Sequence, residues 1–281
     1  MGKCKNGMRL LGPGQQFKGN LTMKKWLLIF ILMACNSLVS AQFGGYKFGS
    51  RPFGGVLDTT LTIPSEPDSF ECPISDSMLI GYWAFDIEDS LVYDSTYNDY
   101  TGVLSGGSWI TGKRGKALSF NGTSNNWVSF GDNMDIGTGD FTFCLWVKFT
   151  DFSANYIIAS KYNTNGWYLA SNTSGRIYAK IRDGSTNVNV TNDNVSMDLN
   201  TWYFIALKRD ADDNSTGLKI LVNNANEKTG QQGTGTISNS DNMYFGQMMN
   251  LYYGKVQVDE CWLFQRLLST DELNVLKNRV D

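Results

Sequence analysis

Histidine is absent from the 281 residues of this chain. That excludes Ser-His-Asp and Cys-His nucleophilic catalysis and imidazole-held zinc. Any acid–base chemistry falls to carboxylates, Lys, Tyr or Cys, and any metal would be held mainly by oxygen, which favours calcium. Excess positive charge is missing too: 24 Lys and Arg face 27 Asp and Glu, a net charge of -3 with the two signs interspersed. A nucleic-acid footprint needs a basic patch, and none is visible, so no nucleic-acid partner is expected. No apolar run is long enough to span a bilayer; the longest, near the N-terminus, is only about nine residues.

What is present is a sequence of short strands and turns. Glycine is frequent, at 29 residues, and Asn, Ser and Thr are abundant, as expected of a β-sandwich with many connections. The stretch from Gly112 to Phe149, GKRGKALSFNGTSNNWVSFGDNMDIGTGDFTFCLWVKF, holds three apolar runs, 117–120, 127–130 and 141–149. They are separated by Asn121-Gly122, by Gly131-Asp132-Asn133 and by 137–140. Asn-Gly tolerates positive φ at both residues and signals a hairpin, so the stretch reads as an antiparallel meander. The last run alternates: Phe141, Phe143, Leu145, Val147 and Phe149 share one face, and Thr142, Cys144, Trp146 and Lys148 the other.

The N-terminal quarter reads differently. Residues 1–22 are polar and unpatterned and are expected to be a mis-called upstream extension, with Met23 as the true start. Residues 23–41 carry Lys24 and Lys25, then the apolar run, then Val39-Ser40-Ala41, the order of a secretory signal peptide. Leu32-Met33-Ala34-Cys35 resembles a lipobox, so the expectation is a secreted protein, with lipid anchoring at Cys35 as the alternative. Residues 42–77, rich in Gly, Pro and Phe, form a linker. Within it, Glu66-Pro67-Asp68-Ser69-Phe70-Glu71 fits the E-x-D-x-x-E pattern of a glucanase. That chemistry requires its carboxylates on one face of a rigid strand, and Pro67 cannot donate to a sheet ladder. The match is read as coincidental, which leaves a glycoside hydrolase as the least favoured function.

The order G-K-x-G-K-A-L-x-F-N-G, V-x-F-G, a Gly/Asp loop and F-T-x-x-x-W-V-K resembles laminin-G-like jelly-roll domains, the concanavalin A-like, pentraxin-related class. The resemblance extends over 78–281. Leu79–Phe85 is similar to the family's opening strand and Val92–Gly102 to its D-x-S-G-N loop. Tyr156–Tyr162, Gly166–Ser171 and Arg176–Arg182 resemble its next three strands. Trp202–Asp210 with Gly217–Asn223 resemble a hairpin closed by Asn223-Asn224. Gly254–Ser269 resembles the G-x-I-D-E-V stretch. Ser269 and Glu272 make a capping box for a final helix over Thr270–Arg279. The resemblance implies an all-β, two-sheet antiparallel jelly-roll sandwich with a short C-terminal helix. It also implies a non-catalytic module that binds carbohydrate or a glycosylated surface, with a structural or adhesive surface protein as the alternative.

Candidate sites follow. Asp94, Asn98 and Asp99 cluster in one loop and read either as calcium ligands or as an Asx-type turn. Asp259 and Glu260 are adjacent acids in an apolar strand, so they are expected on opposite faces, and the inward one needs a hydrogen-bonding or metal partner. Tyr97, Tyr100, Trp109, Trp127 and Trp167 flank loops and are candidates for stacking on sugar rings. Past the signal the cysteines are Cys72, Cys144 and Cys261, an odd number. Against the family pattern Cys144 and Cys261 are both unusual, which suggests a bridge between them; Cys72 with either, or two buried thiols, are the alternatives.

Overall fold

The structure, a computed structural model, describes residues 76–279. The expected extension, signal peptide, Cys35 anchor, nearly all of the linker, the Glu66–Glu71 motif and Cys72 lie outside the described residues. In chain order the strands are β1 Leu79–Trp83, β2 Leu91–Val92, β3 Gly102–Ser105, β4 Ser108–Thr111, β5 Lys116–Ser119 and β6 Trp127–Ser129. Next come β7 Phe141–Lys148, β8 Tyr156–Tyr162, β9 Gly166–Ser171, β10 Ile177–Arg182, β11 Asn187–Thr191 and β12 Trp202–Arg209. The last are β13 Leu218–Val222, β14 Ala225–Gly230, β15 Tyr244–Phe245, β16 Gln247–Met248, β17 Tyr252–Tyr253 and β18 Gln257–Phe264, before the helix α1, Thr270–Asn278.

Two antiparallel sheets stack into a sandwich. The first has the order β14-β13-β12-β7-β18-β5-β4, with β1 also on β18; the second runs β11-β10-β9-β8-β15-β6-β3-β2. Between them lies an aromatic core in which Trp83 and Phe245 both pack on Phe130 at 4.8 Å, and Trp167 lies against Phe141 and Phe143 at 5.3 and 5.1 Å. The alternation of β7 explains its central place. Phe141, Phe143, Leu145, Val147 and Phe149 enter this core, while Cys144 and Trp146 face the other way into a second cluster. A strand apolar on both faces belongs in the middle of a sheet covered on both sides.

That second cluster is closed by α1. Leu268, Leu273 and Leu276 are fully buried against Tyr82, Phe204, Trp262 and Phe264, and Tyr82 stacks flat on Trp262 at 5.2 Å. The helix starts where expected: the Ser269 side chain accepts from the Glu272 N–H and the Glu272 carboxylate accepts from the Ser269 N–H, the full capping box.

Three expectations are corrected. The 112–149 stretch is no meander: β5 and β7 lie in the first sheet and β6 in the second. Asn121-Gly122 is therefore a crossing loop, in which Asn121 takes the Thr123 N–H in an Asx turn and Gly122 supplies φ +83. Asp259 and Glu260 do not follow strict alternation, because β18 bulges between Asp259 and Trp262 and Glu260 adopts φ +49. The Cys144–Cys261 bridge does not form. Both thiols are free and buried, Cys261 in the inter-sheet core and Cys144 in the cluster under α1. The bulge shifts the register so that Cys144 lies opposite Trp262.

Candidate functional site

The acidic pair builds a structural centre. At the bulge the partner of β18 changes from β5 to β1, and its two buried carboxylates meet donors from distant parts of the chain. Asp259 Oδ2 accepts the N–H groups of Lys113 and Arg114 at 2.7 and 2.9 Å. Glu260 Oε2 accepts from the Tyr82 hydroxyl at 3.0 Å and from the guanidinium groups of Arg114 and Arg279 at 3.4 and 3.2 Å. Arg114 then reaches the end of α1, donating to the carbonyls of Leu276, Lys277 and Arg279. Those terminal carbonyls lack helical partners and carry the negative end of the helix dipole. The Gly112–Lys116 turn and the Asp259-Glu260 bulge, far apart in sequence, are thus two halves of one clasp. Burial pushes the Asp259 carboxyl up to about 8 and that of Glu260 up to about 7.

These residues do not fit a calcium ligand set. Glu260 is shared by two guanidinium groups, and Asp259 Oδ2 is taken by two backbone N–H groups. Asp94 is likewise filled by protein donors. Its Oδ1 takes the N–H groups of Tyr82 and Thr96, and its Oδ2 takes the Thr96 hydroxyl and the Tyr100 N–H. Asn98 turns its amide nitrogen toward the Leu79 and Ile80 carbonyls, and Asp99 accepts from the Thr101 hydroxyl. Tyr82 joins the Asp94 loop to the bulge, its N–H donating to Asp94 and its hydroxyl to Glu260. Among the described residues no three His, Cys, Asp or Glu side chains are grouped to share an ion.

The predicted sugar-stacking residues scatter. Trp167 is buried in the inter-sheet core, a correction that strand parity explains, since its neighbours Gly166 and Tyr168 take the outer face. Tyr100 and Trp109 are half-buried against the same core. Tyr97 is exposed, in the Asp94 loop. Trp127 alone lies on the outer face of the second sheet, edge-on to Tyr244 at 5.8 Å.

On that face stands the cluster that loop-centred reasoning missed. Tyr162, Tyr168 and Tyr178, from β8, β9 and β10, pack over Ile157, Ala170 and Met248 and are only half-buried. Tyr162 meets Tyr168 edge-to-face at 5.1 Å, and Tyr168 meets Tyr178 at 5.8 Å. The β16–β17 hairpin borders them. Its Tyr252 is exposed, and the Ser160 hydroxyl donates to the Gln247 carbonyl at 2.6 Å. Burial raises the Tyr168 hydroxyl above its ordinary pKa, with Tyr178, Tyr162 and Tyr252 adding to it, which places all four hydroxyls in one neighbourhood. Across β10–β11 the same face continues as Lys180 beside Asn189 and Arg182 beside Asn187. None of the strands β8 to β11 contains an Asp or Glu. These strands therefore offer ring faces, hydroxyls, amides and the cations Lys180 and Arg182. The signal was in the sequence: in RIYAKIR every second residue is Ile, Ala or Ile, which throws Arg, Tyr, Lys and Arg outward.

Comparison with known proteins agrees with the fold. The Laminin_G_3 model, of the concanavalin A-like lectin/glucanases superfamily, matches residues 121–274. No curated protein matches the sequence. Among solved structures, the binding domain of Paraclostridial Mosquitocidal Protein 1 superposes with a TM-score of 0.59 at 16% identity, covering 71% of this chain and 52% of its own. The botulinum neurotoxin serotype C1 binding domain gives 0.55 at 14% identity, covering 72% and 52%. A botulinum neurotoxin type C structure, whose cell entry depends on interaction with two ganglioside molecules, gives 0.53 at 14%, covering 72% and 51%. The chain spans about half the length of each neighbour.

Proposed function

The chain belongs to the Laminin_G_3 family of the concanavalin A-like lectin/glucanases superfamily, and from that premise we propose that it is a non-catalytic carbohydrate-binding module whose ligand lies on the outer face of the second sheet. One observation carries the reading: Tyr162, Tyr168 and Tyr178 form a half-buried aromatic surface on strands that hold no carboxylate. Aromatic faces stack on the apolar faces of sugar rings, while hydroxyl and amide groups bind their hydroxyls. A fold of this class hosts both lectins and glucanases, so the side chains on the face decide between them. The module acts outside the cell, delivered there by the apolar segment at 23–41.

The test is affinity electrophoresis of the full chain through gels containing neutral or charged polysaccharides. At least one polysaccharide retards the wild type, and the double variant Tyr168→Ala/Tyr178→Ala runs free while still unfolding in one cooperative transition, at a slightly lower temperature. Equal retardation of both proteins would move the ligand elsewhere, and release of reducing sugar from any of the polymers would make the protein an enzyme.

A further inference from the structure

The strand that carries Tyr178 also carries charge. Arg176, Tyr178, Lys180 and Arg182 occupy every second position and are half-buried, while Ile177, Ala179 and Ile181 between them are buried in the core. Two residues of strand advance about 7 Å, so the row extends for roughly 20 Å across the face. Among the described residues none of these three cations makes an ion pair or a side-chain hydrogen bond; of the other cations without an ion pair, Lys113 and Lys148 lie over Trp rings and Arg209 and Lys277 donate to backbone carbonyls. The Arg176 Nε is buried and has no hydrogen-bond partner. Its charge acts on Asp193, but that carboxylate is already taken by Lys228 at 2.8 Å. In a chain of net charge -3, three cations thus stand in one row along strands that hold no Asp or Glu.

The register sets each charge between a ring or a gap and an amide. Lys180 lies between Tyr168 and Asn189, and Arg182 between Gly166 and Asn187, where Gly166 puts no side chain between Arg182 and Tyr162. Resting on the carbohydrate reading above, we propose that the ligand is an anionic glycan. In this site Tyr162, Tyr168 and Tyr178 take the sugar rings while Arg176, Lys180 and Arg182 take carboxylate or sulfate groups at intervals along the chain. Guanidinium and ammonium groups form charge-assisted hydrogen bonds with both anions. A nucleic acid is the less favoured polyanion. The tyrosine rings stand perpendicular to one another, at 90° and 87°, and offer no continuous stack for successive bases.

The experiment measures binding of the full chain to neutral dextran, dextran sulfate, polygalacturonate and poly(dT) at low and high salt. The expected result is that dextran sulfate or polygalacturonate binds at least about tenfold more tightly than dextran at low salt, as one added charged hydrogen bond would supply. Added salt erodes the preference, and Lys180→Gln/Arg182→Gln removes it without lowering the melting temperature. The two anionic polymers separate a carboxylate ligand from a sulfate one. Equal binding of charged and neutral polymers, an unchanged preference in the double variant, or tighter binding of poly(dT) than of any glycan would overturn the proposal. Binding of dextran alone, lost in Tyr168→Ala/Tyr178→Ala, would sink the charge assignment and leave the carbohydrate reading standing; binding of no glycan at all would sink both.

Discussion

The two sheets present outer faces of opposite character. The first sheet's face is covered: α1 lays Leu273 and Leu276 over Tyr82, Trp262 and Phe264, and the charges beneath it are satisfied internally, Glu260 by Arg114, Arg279 and Tyr82. The second sheet's face has no helix among the described residues. Its tyrosines are half-buried and the cations of β10 make no ion pair. Both faces are rich in aromatics, so aromatic content does not distinguish a core from a binding surface. Whether the buried charges have found partners inside the molecule does, even though the indole N–H groups of Trp146 and Trp262 under α1 have none. A buried charge is costly unless paired, so the charges under a covered face are met internally, while an open face keeps its groups for solvent or ligand.

The sharpest way to break the comparison is to damage the closed face. Glu260→Gln removes the carboxylate that Arg114 and Arg279, both almost buried, share. Breaking a buried ion pair in this way costs about 3 to 5 kcal/mol. Urea unfolding should show a lower midpoint with unchanged slope, and α1 should lose amide-exchange protection first, because Arg114 holds its terminal carbonyls. A variant as stable as the wild type would show that the clasp is dispensable and the helix is held by its leucines alone.

The same clasp makes the closed face sensitive to pH. Burial raises the Asp259 carboxyl from 3.8 to about 8. A carboxyl whose folded pKa lies above its unfolded value contributes stability that is fully present below the unfolded pKa and is lost as pH rises through the folded one. The melting temperature should therefore fall as the solution is taken from mildly acidic to pH 9. Asp259→Asn keeps an acceptor for the Lys113 and Arg114 N–H groups and carries no titrating proton, so it should flatten the fall. A slope equal to the wild type's would place the titrating group elsewhere.

How much of this was legible in the sequence depends on how far apart the partners are. The two-faced β7, the succession β8–β9–β10 and the capped α1 follow from local alternation and capping, and each stands where expected. Asn121-Gly122 misled because a tight turn shows only that the chain bends; whether the next strand joins the same sheet is decided by long-range packing. The bulge at Glu260 could not be read either, since strand alternation assumes a regular ladder, and its compensation comes from Arg114, distant in sequence. The tyrosine face of the second sheet was equally legible. Tyr162, Tyr168 and Tyr178 sit inside strands, where an aromatic is ordinarily core, whereas Tyr97, Trp109 and Trp167 flank loops. Parity along RIYAKIR separates inward from outward, and by the same rule it sends Trp167 inward and Tyr168 outward.

The open face should tolerate what the closed face does not. Tyr168→Ala removes half-buried ring contacts with Tyr162 and Tyr178, worth about 1 kcal/mol, a fraction of the Glu260→Gln loss. A calorimetric melt of the two variants side by side tests the ordering. A Tyr168→Ala loss as large as that of Glu260→Gln would mean the tyrosines are a second core and not a surface kept for a ligand.

The smallest expected effect is none, and it concerns calcium. A ligand that binds only the folded state must raise its melting temperature, so melting in EDTA and then in excess calcium measures whether any ion is held. Asp94 fastens its loop to β1 through the Tyr82 N–H and closes the loop on Thr96 and Tyr100. An ion would have to displace donors that already fill both carboxylate oxygens. No calcium-dependent shift is expected, and Asp94→Ala should lower the melting temperature equally with and without the ion, because it leaves those backbone N–H groups unpaired. A rise with calcium that disappears in Asp94→Ala would show the loop rearranging around a metal. The covered side of the molecule would then depend on an outside partner as much as the open side does, and partner-filling would no longer distinguish the two.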